Sequence, residues 1–234
     1  MKTFKEMIDL SKNFGLNFEL ESVGGEFADS IKLTNHFHPW SLRETEAKIV
    51  YDVIRKNNLQ KGFEVATAFG ISSAVAGQAF KETAGQLVTL DAYIEEKLNH
   101  CGAYDINTRT VQEAGQADGY KMASALHKEL GIDSSVSLAV GWSPDAVPDV
   151  IEKTFGKGVK LDYFFIDGGH SFEQIHADTL VLLPYMGEDC VVFYHDFQCA
   201  HPQTRAMMES LGFKVVEYHT GFALAAYFRG KARP

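Results

Sequence analysis

At 234 residues, with 45% hydrophobic and 23% charged content, the chain has the size and balance of one large globular domain with a substantial core. Its net charge of −9 argues against nucleic-acid binding, which draws on basic surface to displace counterions. No apolar run approaches the roughly 20 residues that span a bilayer. Met1 to Asn13 is a mixed amphipathic stretch unlike a signal peptide. The three cysteines (Cys101, Cys190, Cys199) form no CxxC pair, so a reducing cytoplasm with no membrane partner is the expected setting.

Residues 1–41 read as an appendage. A short helix ends near Gly15, and an irregular piece runs through Gly24-Gly25 to Asn35-His36-Phe37-His38-Pro39-Trp40. His36, His38 and Trp40 are candidates for a lid, although a solvated loop accounts for them equally well. The main domain is expected over 42–234. Ser41-Leu42-Arg43-Glu44 matches the S-x-x-E capping box, and Ala47, Ile49, Val50, Val53 and Ile54 follow at helical spacing, which predicts a helix over 42–57.

Strands and helices then alternate. Strands are expected at 62–67, 87–91, 136–140, 161–166 and 190–195, with helices at about 71–82, 117–130, 144–155 and 172–185. Ser143-Pro144 reads as a helix start, with serine capping and proline in the first turn, and Ser171 as the next cap. Gly131 and Gly187 fit helix ends. This alternation implies a parallel sheet with helices on both faces. Lys214 to His219 is joined through Thr220-Gly221 to Phe222 to Phe228, which reads as a hairpin and makes the last strand antiparallel. The expected fold is a Rossmann-like, doubly wound α/β sheet of seven strands with a C-terminal antiparallel hairpin.

The chemistry collects where strands end. The run from Leu161 to Ile166 leads into Asp167-Gly168-Gly169-His170, and Cys190 to Tyr194 leads into His195-Asp196. Two buried strands that each deliver a carboxylate to the carboxyl edge of an open sheet suggest a shared site. The first strand ends Glu64-Val65-Ala66-Thr67-Ala68-Phe69-Gly70-Ile71-Ser72-Ser73, a small-residue turn before a helix. A pyrophosphate loop needs bare glycines, so this turn suits a ligand without phosphates, although packing alone also produces small-residue turns. Asp91 ends the second strand about 20 residues after Gly70, where a carboxylate can accept from ribose hydroxyls. Trp142 could flank a purine and Ser143 could bond its edge. A capped helix beside a packing tryptophan is the alternative.

From about residue 42 to 228 the chain resembles class I S-adenosylmethionine-dependent methyltransferases, and looks closest to the small O-methyltransferases of the catechol, macrolide and sugar type. The stretches that carry the resemblance are EVATAFGISS, LVTLDAY, VGWSPDAVP, FFIDGGHSFEQIHAD, VVFYHDF and FKVVEYHTGFALAAYF. It implies that Glu64, Gly70 and Ser72 surround the methionine part of S-adenosylmethionine, with Ala66 standing in that loop where a glycine is common. Asp91 would hold the ribose, and Trp142 and Ser143 would lie by the adenine. In metal-dependent relatives a divalent cation sits between acids at the ends of the fourth and fifth strands, here Asp167, His195 and Asp196. Mg²⁺ suits such oxygens, whereas the imidazole of His195 suits a softer metal. Without a metal, Asp167 would contact cofactor or substrate directly. Period-2 alternation turns His195 away from Asp196 unless the strand end curls.

His170, on a glycine-rich turn three residues after Asp167, is the candidate general base. A contact with the nearby helix terminus or Asp178 is its structural alternative. The expected activity is methyl transfer to a hydroxyl of a small-molecule acceptor, and the resemblance makes a homodimer common company. Two rivals stand beside it. A nicotinamide-dependent oxidoreductase is disfavoured by the glycine-poor first loop and the terminal hairpin. A non-catalytic binding protein of the same fold is disfavoured by the retained Asp167, His170 and Asp196.

Overall fold

The computed structural model describes residues 18–21, 30–33, 42, 44–92, 119–169, 171–196, 202–220 and 224–234. The expected first helix, the lid residues His36, His38 and Trp40, the cap Ser41 and the base His170 lie outside them.

Along the central strands the apolar side chains divide by parity, because successive residues of a strand point to opposite faces. Tyr163, Phe165, Val191 and Phe193 pack with α1 (Glu44–Lys56), α2 (Ile71–Thr83) and α3 (Gly119–Glu129). Phe164, Ile166, Val192 and Tyr194 pack on the other face with α4 (Val147–Phe155), α5 (Phe172–Leu182) and α6 (Pro202–Ser210). The strands between are therefore buried on both sides, as their near-continuous apolar runs require.

The main sheet contains β3 (Lys61–Val65), β4 (Gln86–Asp91), β5 (Val136–Val140), β6 (Leu161–Ile166), β7 (Met186–His195), β8 (Lys214–Tyr218) and β9 (Leu224–Arg229). Their order is β5-β4-β3-β6-β7-β9-β8. The first five run parallel, and β9 is antiparallel to both β7 and β8. This is the expected seven-stranded mixed sheet. Strand order reverses between β3 and β6, so the helices that follow these two strands leave on opposite faces and open a crevice at their carboxyl ends.

Several local expectations give way. β7 begins at Met186, so Gly187 lies in a strand and does not end a helix. A Cβ there would stand 3.0 Å from the Leu161 carbonyl oxygen, and the Arg229 guanidinium donates to the Gly187 carbonyl. Leu183–Tyr185 forms a 3-10 turn where α5 was expected to continue. α4 begins at Val147, three residues beyond the Ser143-Pro144 start; Ala146 holds the cap position without a side-chain bond, and the Ser143 hydroxyl donates to Asp178. Ser171 does cap α5, accepting from the Gln174 amide at 3.2 Å. Within residues 1–41, β1 (Phe18–Glu21) and β2 (Ser30–Leu33) pair antiparallel where an irregular piece was expected. α6 had no sequence signal, since only Thr204 and Met208 are buried in it and no apolar stripe forms.

α2 is buried almost throughout, and Ser72, Ser73, Ala74, Ala76, Gly77 and Ala79 let it lie close to its neighbours. A Cβ at Gly77 would meet Val136 Cγ2 at 2.3 Å and Ile132 Cδ1 at 2.9 Å. Alanine would gain about 1 kcal/mol in helix propensity, but overpacking costs about 1–3 kcal/mol. Gly77→Ala should therefore lower the urea midpoint, with a net loss of about 1 kcal/mol.

Candidate active site

The β3–α2 turn shows what glycine-like geometry demands of other residues. Ala66 (φ 72°), Ala68 (φ 46°) and Gly70 (φ 83°) all adopt left-handed backbone. The Ala66 amide donates to the Leu90 carbonyl at 2.9 Å, and the Ala68 amide to Asp91 Oδ2 at 2.8 Å. These bonds hold the turn against the tip of β4 and keep Ala66 in the conformation that a glycine adopts freely. At Gly70 no side chain fits, since a Cβ would stand 2.7 Å from Ala123 Cβ on α3. The same helix supplies His127, 2.9 Å from Ser73 Oγ, whose pKa burial pushes down to about 4 and leaves it neutral.

Glu64 is fully buried beneath this turn. Its Oε1 accepts from the Ser72 and Thr89 hydroxyls, each at 3.0 Å, while Oε2 is buried with no hydrogen-bond partner among the described residues. Burial raises its pKa to about 8, against the two hydroxyl bonds and with help from the nearby Asp167 and Asp91. An orphaned carboxylate oxygen under the turn fits an ammonium group, such as the amino end of a methionine moiety. At the tip of β5, the Gly141 amide donates to the Asp91 carbonyl at 2.9 Å, which brings the Trp142-Ser143 turn beside Asp91.

β6 and β7 pair Ile166 with Tyr194, so Asp167 and His195 emerge side by side. His195 Nδ1 lies 3.1 Å from Asp167 Oδ1 and 3.7 Å from Asp196 Oδ1. Asp196 has φ 52°, so the chain curls as it leaves the strand and brings consecutive residues to one place. The second ring nitrogen, Nε2, lies 3.1 Å from Glu46 Oε2 on α1, and Glu46 also accepts from the Thr220 hydroxyl. Burial alone would lower the His195 pKa, but Asp167 and Glu46 outweigh it and hold the ring well above its usual range. The ligand atoms of Asp167, His195 and Asp196 lie within 4.8 Å of one another. Two carboxylates and an imidazole whose far nitrogen is braced by a carboxylate form a donor set that fits a divalent cation.

Glu46 and Thr220 were missed from sequence. Glu46 carried a signal, because it shares the i, i+4, i+7 stripe with Val50 and Val53, and a carboxylate on a core-facing stripe needs a buried partner. Asp178 is likewise buried, and its Oδ1 accepts from Ser143 Oγ and from Gln174 Nε2 at 3.0 Å. Nothing in its spacing singled it out as more than a neighbour of His170.

Two variants test this geometry. Left-handed backbone costs an alanine about 1–2 kcal/mol, and glycine's entropy penalty is about 0.5–1 kcal/mol. Changing both Ala66 and Ala68 to Gly should raise stability by about 1 kcal/mol in chemical denaturation. For Glu64, the folded pKa of about 8 lies above the ordinary value of 4.5, so its favourable contribution is complete below pH 4.5 and lost as pH rises through 8. Glu64→Gln does not titrate, so the stability of this variant relative to the parent should increase between pH 5 and pH 8, read from paired urea titrations. A difference that stays constant would contradict the buried-acid reading.

The methyltransferase-domain family matches residues 63–197, more than half of the chain. No curated protein matches the sequence. Among solved structures, the O-methyltransferase TomG of Streptomyces achromogenes, involved in tomaymycin synthesis and bound to S-adenosylmethionine, is 15% identical with a TM-score of 0.60, covering 98% of this chain and 91% of that one. An O-methyltransferase of Bacillus cereus in complex with S-adenosylhomocysteine is 12% identical with a TM-score of 0.62, covering 98% and 91%. The S-adenosylhomocysteine-bound methyltransferase PaMTH1 of Podospora anserina is 11% identical with a TM-score of 0.58, covering 82% and 80%. Strand order, the terminal hairpin and the family match agree: the chain belongs to the methyltransferase-domain family and is a class I S-adenosylmethionine-dependent methyltransferase.

Proposed function

We propose that this protein transfers the methyl group of S-adenosylmethionine to a hydroxyl oxygen of a small molecule, assisted by a divalent cation. The observation that carries the reading is the convergence of Glu64, Asp91, Asp167 and Asp196 on the carboxyl edge beside the switch point, under a turn without phosphate-binding glycines. The O-methyltransferases among the similar structures support the choice of oxygen as acceptor.

Each residue has a defined part. Glu64 Oε2, lacking any other partner among the described residues, would take the ammonium of the methionine moiety. Asp91 would accept from the ribose, and Trp142 and Ser143 would line the purine. Gly70 and Ser72 would close the methionine end, with Ala66 keeping the turn open to it. S-adenosylmethionine supplies a positively charged sulfonium whose methyl carbon is the electrophile. Asp167, His195 and Asp196 would hold the cation, which supplies Lewis acidity that makes a hydroxyl easier to deprotonate.

Loss of methyl from a sulfonium leaves a neutral thioether, and the acceptor oxygen that gains the methyl gives up one proton. His170 is the residue proposed to take that proton, from its place three positions after Asp167. The rest of the chain's contribution is alignment, which in well-oriented reactions lowers the barrier by about 7–11 kcal/mol.

S-adenosylhomocysteine should raise the thermal midpoint, whereas NADH should leave it unchanged, and the reverse would favour the oxidoreductase reading. EDTA should abolish methylation of catechol-type or sugar hydroxyls, with Mg²⁺ or Mn²⁺ restoring it. His170→Ala should reduce turnover with S-adenosylhomocysteine affinity nearly unchanged. Chelator-resistant activity would remove the cation from the mechanism, and a parallel loss of affinity in His170→Ala would remove the base.

A further inference from the structure

Asp178 is buried on α5, yet it holds the hydroxyl of the half-buried Ser143. Its Oδ1 accepts two hydrogen bonds, one from Gln174 Nε2 at 3.0 Å and one from Ser143 Oγ. Gln174 Nε2 also donates to the Ser143 carbonyl at 3.2 Å, so the amide nitrogen faces two acceptors and its orientation is determined. Asp178 Oδ2 is buried with no hydrogen-bond partner among the described residues, and it lies 3.1 Å from where a Cβ on Gly168 would stand. The acid thus ties α5 to the turn after β5, the turn that lies by the purine in the cofactor reading.

A serine hydroxyl has one proton and two lone pairs. At Ser143 the proton points inward to Asp178, and the half-buried oxygen has only lone pairs left to present outward. We infer that Asp178 is a positioning residue for base selection: by holding the Ser143 proton, it makes that serine an obligate acceptor and tunes the site to a 6-aminopurine. A 6-amino group donates to such an oxygen, whereas a 6-oxo group presents lone pairs to lone pairs. Discrimination of this kind is strong because the mismatched polar groups are left unpaired as water is excluded.

The inference rests on the cofactor reading above and is separable from it by calorimetry with two probes, S-adenosylhomocysteine and its 6-oxo analogue S-inosylhomocysteine. The parent protein should prefer the amino form by about tenfold or more, which is about 1.4 kcal/mol. Asp178→Leu frees the serine proton to turn outward, so the preference should fall to about twofold while S-adenosylhomocysteine still binds. Asp178→Asn keeps a carbonyl facing Gln174 and Ser143, so it should retain the parent's preference. Ser143→Ala removes the acceptor and should also flatten the ratio, which keeps the test decisive if Asp178→Leu does not fold.

A merely structural role for Asp178 would weaken both probes in parallel and leave their ratio at the parent value, and that result would overturn the inference. So would an unchanged ratio in Ser143→Ala. If the parent binds neither probe, the cofactor reading itself is lost and this inference with it. Binding of S-adenosylhomocysteine with a ratio insensitive to these substitutions removes the inference alone.

Discussion

Negative charge buried at one edge of a sheet is the condition that organises this molecule. Glu46 and Glu64 have no exposed surface and Asp178 almost none, while Asp91, Asp167 and Asp196 stand half-buried at neighbouring strand tips. Carboxylates leave water only at considerable cost unless a cation, a hydrogen-bond donor or a proton compensates them. Each is compensated differently. The His195 ring stands between Glu46 and Asp167, and the two carboxylates raise its pKa against the opposing effect of burial. Glu64 takes two hydroxyl donors and a raised pKa, and Asp178 takes a serine, an amide and a pKa raised to about 6 by burial.

Topology makes this crowding unavoidable. Parallel strands put all their carboxyl ends on one edge, and the reversal of order between β3 and β6 opens the crevice there. The β6–β7 register then sets Asp167 next to His195, and the left-handed Asp196 brings a further acid round the strand end. α1 and the segment after β8 close the arrangement from the side through Glu46 and Thr220, two residues 174 positions apart. A site assembled from so many segments is held rigid by the sheet while its outer surface is left to the loops, which is how one fold serves many acceptors.

The fold was legible because its signals are local. Apolar runs of strand length, helical spacing from Ala47 to Ile54, and the Thr220-Gly221 connection each specify an element through backbone geometry and water exclusion alone. The errors arose where a distant partner overruled a local preference. Ser143 has the chemistry of a cap, but α4 starts beyond it and its hydroxyl meets a buried carboxylate on α5. Gly187 reads as a helix end until the neighbouring strand and Arg229 claim its backbone. Ala66 and Ala68 have no local reason to be left-handed, yet the strand tips beside them impose it.

For the site, the sequence by itself determined which acids end strands, because a carboxylate after a buried run must emerge at the sheet's edge. It therefore pointed to Asp91, Asp167 and Asp196, and to a ligand without phosphate, whereas Glu64 entered only through the family resemblance. Only the tertiary structure decided which of these groups meet and in what state. Glu46 reaches His195 across 149 residues, and Asp178 reaches Ser143 across 35. Chain spacing carries no information about such pairs, since they form only when helices from opposite ends of the sequence are pressed onto one sheet. Their protonation follows from that burial, because the energy of a charge depends on the neighbours and the water that folding leaves around it.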